Sequence, residues 1–211
     1  MDWYNKAIKG NGASFADPEF INALSVIDTL SKKEMFSPGI TQMAYGDDMT
    51  QFVKEQAVYW IDGGWRVNNL VKELTAEQKA YVSLKTFPEI PKQKGQAGST
   101  AQVAGTGYGM NVKLDGAKAE AAWKWIWFYS GPEGSKIRRE NGASPAYILP
   151  PQEGLDPMLL KLVKFVNETP VGYVIDSVMD AEGMAGLHAG LQEMLIGAKT
   201  PQQVAKDYEA W

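Results

Sequence analysis

Phe52-Val53-Lys54-Glu55-Gln56-Ala57-Val58-Tyr59-Trp60-Ile61-Asp62-Gly63-Gly64-Trp65 is the stretch on which the fold turns. It reads as the end of a helix, a turn, a short strand, and a glycine pair that delivers a tryptophan. The run from Ala57 to Ile61 is apolar and β-branched or aromatic, which predicts a buried strand. Gly63 and Gly64 cannot sustain a strand, but they let the backbone turn sharply or approach something closely. Trp65 follows at once, where the next helix should start. A flat side chain at a strand-to-helix junction presents a face to a ligand at a sheet's carboxyl edge. The same residue would also serve as core filler, and the stretch alone leaves both readings open.

Working outward, helices are announced by caps and by apolar spacing. Asp17-Pro18-Glu19 supplies an N-cap, a proline at the first helical position and an early acid. Phe20, Ala23, Leu24, Ile27 and Leu30 then form one stripe to about Lys33. Asp47 or Asp48 caps a second helix running through Phe52 to Glu55. Trp65 to Leu74 suits a third, with Val67, Leu70, Val71 and Leu74 inward. Tyr81 to Thr86 reads as a strand that stops at Phe87-Pro88. The polar, glycine-bearing run from Pro88 to Ser99 has loop chemistry and is the best candidate for a domain crossing.

Thr100 to Val112 resumes as a strand, interrupted by Gly105-Thr106-Gly107-Tyr108-Gly109. A helix from about Gly116 to Ser130 is expected to bury Ala119, Ala122, Trp123, Ile126 and Trp127. A shorter one follows from Pro132 to Asn141, with Gly142 as its C-cap. Ser144-Pro145 and Pro150-Pro151 mark another extended link. Asp156-Pro157 opens a helix to about Asn167, and Val178 to Ile196 forms another. The latter carries Gly183, Gly186 and Gly190, each costing about 1 kcal/mol against alanine, so close backbone contact or a ligand is expected on that face. Thr200-Pro201-Gln202-Gln203 is a capping box for the closing helix.

The 211 residues suffice for one large or two small domains. A net charge of −4 argues against a nucleic-acid partner, which would call for a basic patch. The absence of cysteine excludes disulfides, thiol catalysis and cysteine–metal sites. His188 is the only histidine, so no ordinary zinc site can form, and packing is its expected role. No cofactor motif is present: Gly105-Thr106-Gly107 lacks the lysine and hydroxyl residue of a phosphate loop. Met1-Asp2-Trp3-Tyr4 has neither the basic start nor the apolar centre of a signal peptide, and it does not read as the start of a fold. Seven tryptophans are many for this length, a richness that suits flat or carbohydrate-like ligands as well as core packing.

In order, three blocks resemble the C-terminal half of an extracellular solute-binding protein of an ABC importer, in the sugar-binding, maltose-binding-protein-like branch. Phe52 to Trp65 is similar to the family's helix-and-strand signature that ends in glycine and a ligand-facing tryptophan. In this chain Glu55 stands where the family has glycine, and Val58-Tyr59 stands for its alanine–methionine pair. Val82 to Pro88 resembles the strand before the inter-domain hinge. Val103 to Val112 resembles the strand that returns to the N-terminal lobe. The helix pair that follows, with Gly131-Pro132-Glu133-Gly134, Asn141-Gly142 and Pro145, also resembles that lobe.

The resemblance implies a helix-rich α/β fold of the type II periplasmic-binding-protein kind, incomplete here. Residues 1–92 and 147–211 would be most of the C-terminal lobe, and 97–146 the returning segment of the N-terminal lobe. Such proteins are about twice as long. The chain is therefore expected to be part of a longer protein whose absent strands leave raw sheet edges, inviting self-association. The implied function is non-enzymatic: a sugar or oligosaccharide is bound in an inter-lobe cleft and handed to an ABC permease. The implied location is extracellular or periplasmic, with a lipid anchor on the full-length protein.

By that resemblance Trp65 would stack on a sugar ring, with Gly64 and Arg66 beside it; Asn68 is a further candidate. Tyr59 and Trp60 alternate, so at most one faces a cleft and both are expected in the core. Gly105, Thr106, Gly107 and Tyr108 would offer backbone groups to ligand hydroxyls, or would form a β-bulge. Asp180 and Met184 open the glycine-bearing helix at the implied cleft, although acids there often only complement the helix dipole. Arg138-Arg139 is expected to be a solvated face. Two competitors stay open. A carbohydrate hydrolase would need two carboxylates across a pocket, for which Asp47, Asp62, Asp176 and Asp180 are available. A helical interaction module would use its aromatics as core alone.

Overall fold

The computed structural model describes residues 2–90, 98–102, 107–141, 147, 153–175 and 178–210. In chain order the elements are α1 (Asp2–Ile8), α2 (Pro18–Lys32), a 3-10 turn (Ile40–Gln42), α3 (Asp47–Val53), a second 3-10 turn (Gly64–Arg66), α4 (Val67–Glu73) and α5 (Ala76–Tyr81). There follow β1 (Thr100–Gln102), α6 (Gly116–Ser130), α7 (Pro132–Glu140), α8 (Pro157–Glu168), β2 (Val171–Tyr173), α9 (Ala181–Leu195) and α10 (Pro201–Glu209). The molecule is helix-rich, and the chain divides into two compact units.

The first unit comprises Met1–Gln51, Thr86–Val103 and Thr169–Trp211. Its core joins Ala7, Phe15, Phe20 and Leu24 to Leu187, Met194, Val204, Ala205 and Tyr208. Phe15 meets Tyr208 edge-on at 4.7 Å, and Phe20 stacks on the same ring at 6.0 Å. The N-terminal aromatics belong to this core: Trp3 stacks on Phe20 at 6.0 Å, and Trp3 and Tyr4 pack against the buried cluster. Trp3 and Tyr4 thus belong to this core, although α1 is short and its apolar residues find their partners in distant helices. Asp17 sits at the N-cap of α2, yet its carboxylate does not cap the helix. It accepts instead from the Ser14 amide (2.9 Å) and from the indole N–H of Trp3 (3.3 Å), tying α1 to α2.

One glycine of α9, Gly190, has the expected structural use. A β-carbon on Gly190 would lie 2.8 Å from Cγ1 of Val204, so α9 and α10 meet where that glycine allows it. The Thr200–Gln203 capping box closes as read, with both reciprocal bonds formed. Among the described residues the sheet is a parallel pair, β1 beside β2, with Thr100 opposite Val171 and Gln102 opposite Tyr173.

The second unit comprises Phe52–Lys85 and Ala104–Glu168. In it α4 packs on α8, burying Val67, Leu70, Leu74 and Met158. Lys79 pairs with Asp156 at 2.8 Å, and the ammonium of Lys161 donates to the carbonyls of Lys79, Ala80 and Val82 at the end of α5, where a cation is favoured. In Gly131-Pro132-Glu133-Gly134, a β-carbon on Gly131 would come within 2.4 Å of the Trp127 carbonyl oxygen, and one on Gly134 within 2.3 Å of the Phe128 carbonyl oxygen. Both glycines let α7 turn back tightly on the end of α6.

Several sequence expectations are corrected here. Residues 57–61 form no ladder among the described residues, and Val58, Tyr59 and Ile61 are exposed. A strand exists only through a neighbour, and none lies beside this run among the described residues. Tyr81 closes α5 rather than opening a strand; a Thr75–Gln78 capping box starts that helix. The strand expected from 100 to 112 survives as β1 alone, with 107–112 irregular and 103–106 outside the described residues. Trp123 and Trp127 are exposed, and α6 buries no residue. His188 is exposed rather than packed. The Gly142 cap, Ser144-Pro145, Pro150-Pro151 and most of the 88–99 link lie outside the described residues.

Candidate functional site

The turn that carries Trp65 is built from its neighbours. The carboxylate of Asp62 accepts from the Gly63 amide at 2.6 Å and lies 3.5 Å from Nε of Arg66, four residues on. Both side chains of that pair are largely withdrawn from solvent, at 8% and 12% exposure. The Arg66 guanidinium also lies 5.8 Å above the Trp60 ring, a cation–π contact, and Trp60 in turn stacks on Phe52 at 6.0 Å. This clamp fixes both ends of the glycine pair. The 3-10 turn then passes directly into α4, anchored through Val67 and Leu70.

The glycines answer to two close approaches. The Trp65 ring folds back over Gly63, where a β-carbon would stand 2.1 Å from the indole. A β-carbon on Gly64 would meet Cδ1 of Leu162, on α8, at 3.2 Å. Trp65 itself is 63% exposed, so its indole rests on bare backbone with much of its surface in solvent. That is the geometry of a stacking platform, and it differs from the core-filler reading. No strand stands beside the turn among the described residues, so the platform is held by α4, α8 and the Asp62–Arg66 clamp rather than by a sheet edge.

A cavity of about 360 Å³ opens between α4 and the end of α7. Asn68 and Lys72 line it from α4, Arg139 and Asn141 from the α7 end, and Asp156 and Leu159 from the α8 side. Oδ1 of Asn68 is buried with no hydrogen-bond donor among the described residues. The volume falls within the range of small-molecule pockets, and the lining mixes both signs of charge with amide groups. The expectation that Arg138-Arg139 is a solvated face is corrected, since Arg139 lines this cavity and Arg138 is half-buried on Tyr129.

The remaining sequence candidates are distributed. Gly64 and Arg66 belong to the Trp65 turn, although Arg66 is committed to Asp62 and Trp60. Gly105 and Thr106 lie outside the described residues. Gly107 is exposed with open space around it, and Tyr108 packs edge-on against Trp125 (5.4 Å) and Tyr129 (4.9 Å). Trp125 and Tyr129 stack at 5.5 Å, and Arg138 lies over Tyr129 at 5.2 Å while donating to its hydroxyl at 2.7 Å. A hydrogen bond to Tyr129 raises the Tyr108 phenol pKa; the same bond, with the Arg138 charge, lowers that of Tyr129. Asp180 and Met184 belong to the other unit. There Asp180 accepts from the Gly183 amide at 2.8 Å as the N-cap of α9, and Met184 is half-buried. The aromatic set around Tyr108 escapes sequence reading because Trp125 and Tyr129, four apart on α6, fall outside the stripe expected to be buried.

No family model and no curated protein sequence matches this chain. Among solved structures it is similar to a chitin oligosaccharide binding protein, with a TM-score of 0.83 and 22% identity. The match covers 99% of this chain and 51% of that one, so the chain spans about half the length of the structure it resembles. At this identity the likeness is one of fold.

Proposed function

We propose that this chain is part of a solute-binding protein that takes a sugar or oligosaccharide, with the Trp65 indole as its stacking surface. The observation that carries the reading is the exposed Trp65 ring, laid on Gly63 and held by the Asp62–Arg66 clamp. The fold is shared with a protein named for binding chitin oligosaccharides, which makes β-linked N-acetylglucosamine oligomers the first ligands to try. Their sugar rings present apolar C–H faces to an indole, and their hydroxyl and acetamido groups suit an amide-bearing lining such as that around Asn68.

The rest of the reading follows from the family resemblance. In the longer protein, residues 1–92 and 147–211 would form one lobe and 97–146 would contribute to the other, the type II binding-protein arrangement. Closure on the ligand would require the closed state to bind it better than the open one. The closed form would dock on an ABC permease at the outer face of the membrane, held there by a lipid anchor. Tryptophan fluorescence titrated with N-acetylglucosamine oligomers tests the binding step. A saturable change that Trp65→Ala weakens by about 1–2 kcal/mol, roughly 5–30-fold, supports it. A response that Trp65→Ala leaves intact removes the platform.

The hydrolase reading is less well supported. Asp47 accepts from the Ala44 amide (2.8 Å), Asp62 is paired with Arg66, and Asp180 caps α9. Three of the four acids considered thus hold local structure, and Asp176 lies outside the described residues. Turnover of a chitin oligosaccharide that vanishes on substitution of a single acid would restore that reading.

A further inference from the structure

Trp65 and the cavity beside Asn68 lie on one side of one helix. The 3-10 turn Gly64–Arg66 runs on into α4 with right-handed helical backbone at Arg66 and Val67. Trp65, Asn68 and Lys72 stand at i, i+3 and i+7, the spacing that lines side chains up along one face. At about 1.5 Å per residue, Asn68 is about one turn beyond Trp65 along the axis and Lys72 about two. Helix α8 backs both places: Leu162 would meet a β-carbon on Gly64, in the turn that carries Trp65, and Leu159, one turn earlier, lines the cavity. All of these residues belong to the second unit.

The polar groups of the cavity are unevenly satisfied. Asp156 is held by Lys79 at 2.8 Å and accepts from the Met158 amide at 2.9 Å. Glu140 lies 4.0 Å from Lys136, and the side-chain amide of Asn141 donates to the Ile137 carbonyl at 2.9 Å. Two groups are left over. Oδ1 of Asn68 is buried without a donor among the described residues, and the Lys72 ammonium forms no ion pair with any of them. Together they call for a ligand group with a donor on one side and an acceptor on the other. A carboxylate has acceptors only and would face Asn68 oxygen to oxygen; an ammonium has donors only and would face Lys72 charge to charge. A hydroxyl has one oxygen for both roles, and the two side chains stand a helical turn apart. An acylamino group has both, its N–H and C=O directed to opposite sides of one plane, and its acyl carbons have Val71 and Leu159 to rest on.

We infer that the cavity is a subsite for an acylamino group, carried by a ligand whose neighbouring ring lies on Trp65, so that the chain selects N-acylated sugars over their hydroxyl counterparts. Asn68 accepts from the N–H of that group, and Lys72 donates to its C=O. The inference rests on the sugar-binding reading and adds to it the group that is selected and the two residues that select it.

Calorimetric titration with N,N′-diacetylchitobiose and with cellobiose, the same β-linked dimer with a hydroxyl in place of each acetamido group, tests the subsite. The acetylated dimer should bind about tenfold tighter or more. Asn68→Leu and Lys72→Met should each weaken the acetylated dimer about fivefold or more while leaving cellobiose within about twofold. Trp65→Ala should weaken both dimers. Lys72 is exposed, so Lys72→Met reads the site even where Asn68→Leu disturbs α4. Equal affinity for the two dimers, or an affinity for the acetylated dimer that ignores both substitutions, overturns the subsite and leaves the Trp65 platform standing. Binding of neither dimer overturns the sugar-binding reading and the subsite with it.

Discussion

Glu55 shows how a side chain can hold a turn whose backbone favours glycine. It occupies a left-handed conformation, φ +60°, directly after α3. Its amide closes the helix end on the Phe52 carbonyl at 3.0 Å. Glycine is the residue that adopts this geometry without strain, so Glu55 holds a helix-ending turn at a position that favours glycine. The carboxylate offsets part of the strain, accepting from Gln78 at 2.9 Å and from the Tyr81 hydroxyl, and these bonds hold its pKa below the usual carboxylate value. Glu55→Gly removes the strain along with the bonds and should leave the melting temperature equal or higher. Glu55→Ala keeps the strain, loses the bonds and should melt lowest of the three. An alanine variant as stable as the parent would show that the conformation costs nothing.

The same scale decides Gly63. Its glycine was legible as a turn or a close approach, but what approaches it is the Trp65 ring, two residues on. No pattern of residue types distinguishes an indole folded back on its own chain from one turned into a core. Gly63→Ala should displace the indole and shift Trp65 emission while leaving the buried residues of α4 in place.

At the scale of elements, the sequence was most legible where a helix announces its own ends. The Pro18 start, the Thr200–Gln203 box and the Pro132 start of α7 each depend on residues a few positions apart. Strands were least legible, because 57–61 and 107–112 have the composition of strands and no neighbour among the described residues. The amphipathic reading of α6 failed for a related reason, since helical spacing identifies a face and says nothing of whether a cover is present. The glycines of α9 separate cleanly. A β-carbon on Gly186 would make ordinary contact with Tyr208 at 3.8 Å, so Gly186→Ala should stabilise by about 1 kcal/mol through helix propensity. Gly190→Ala drives a methyl against Val204 and should destabilise by about 1–3 kcal/mol. Denaturant melts of the two variants should move in opposite directions; a common direction would mean that α9 and α10 do not meet at Gly190.

At the scale of the whole molecule, the first unit, which joins both ends of the chain, carries a pH signature. Burial, and to a lesser degree the charge of Tyr208, raise the Tyr4 phenol pKa; burial likewise raises that of Tyr208. A group whose pKa is higher folded than unfolded contributes stability that is complete below the unfolded value, about 10 for tyrosine, and lost as pH rises above it. Melting temperature should therefore fall from about pH 10 upward, and Tyr4→Phe should flatten the fall. A profile unchanged by Tyr4→Phe would place that phenol in solvent.

The functional account rests on the Trp65 indole as an open stacking face. Isotope labelling of the seven tryptophan side chains, with Trp65→Phe to assign one indole resonance, reports on that ring alone during a titration with N-acetylglucosamine oligomers. The account predicts that the Trp65 resonance shifts saturably and more than those of Trp123 and Trp127. A titration in which ligand binds while the Trp65 resonance stays fixed would contradict it.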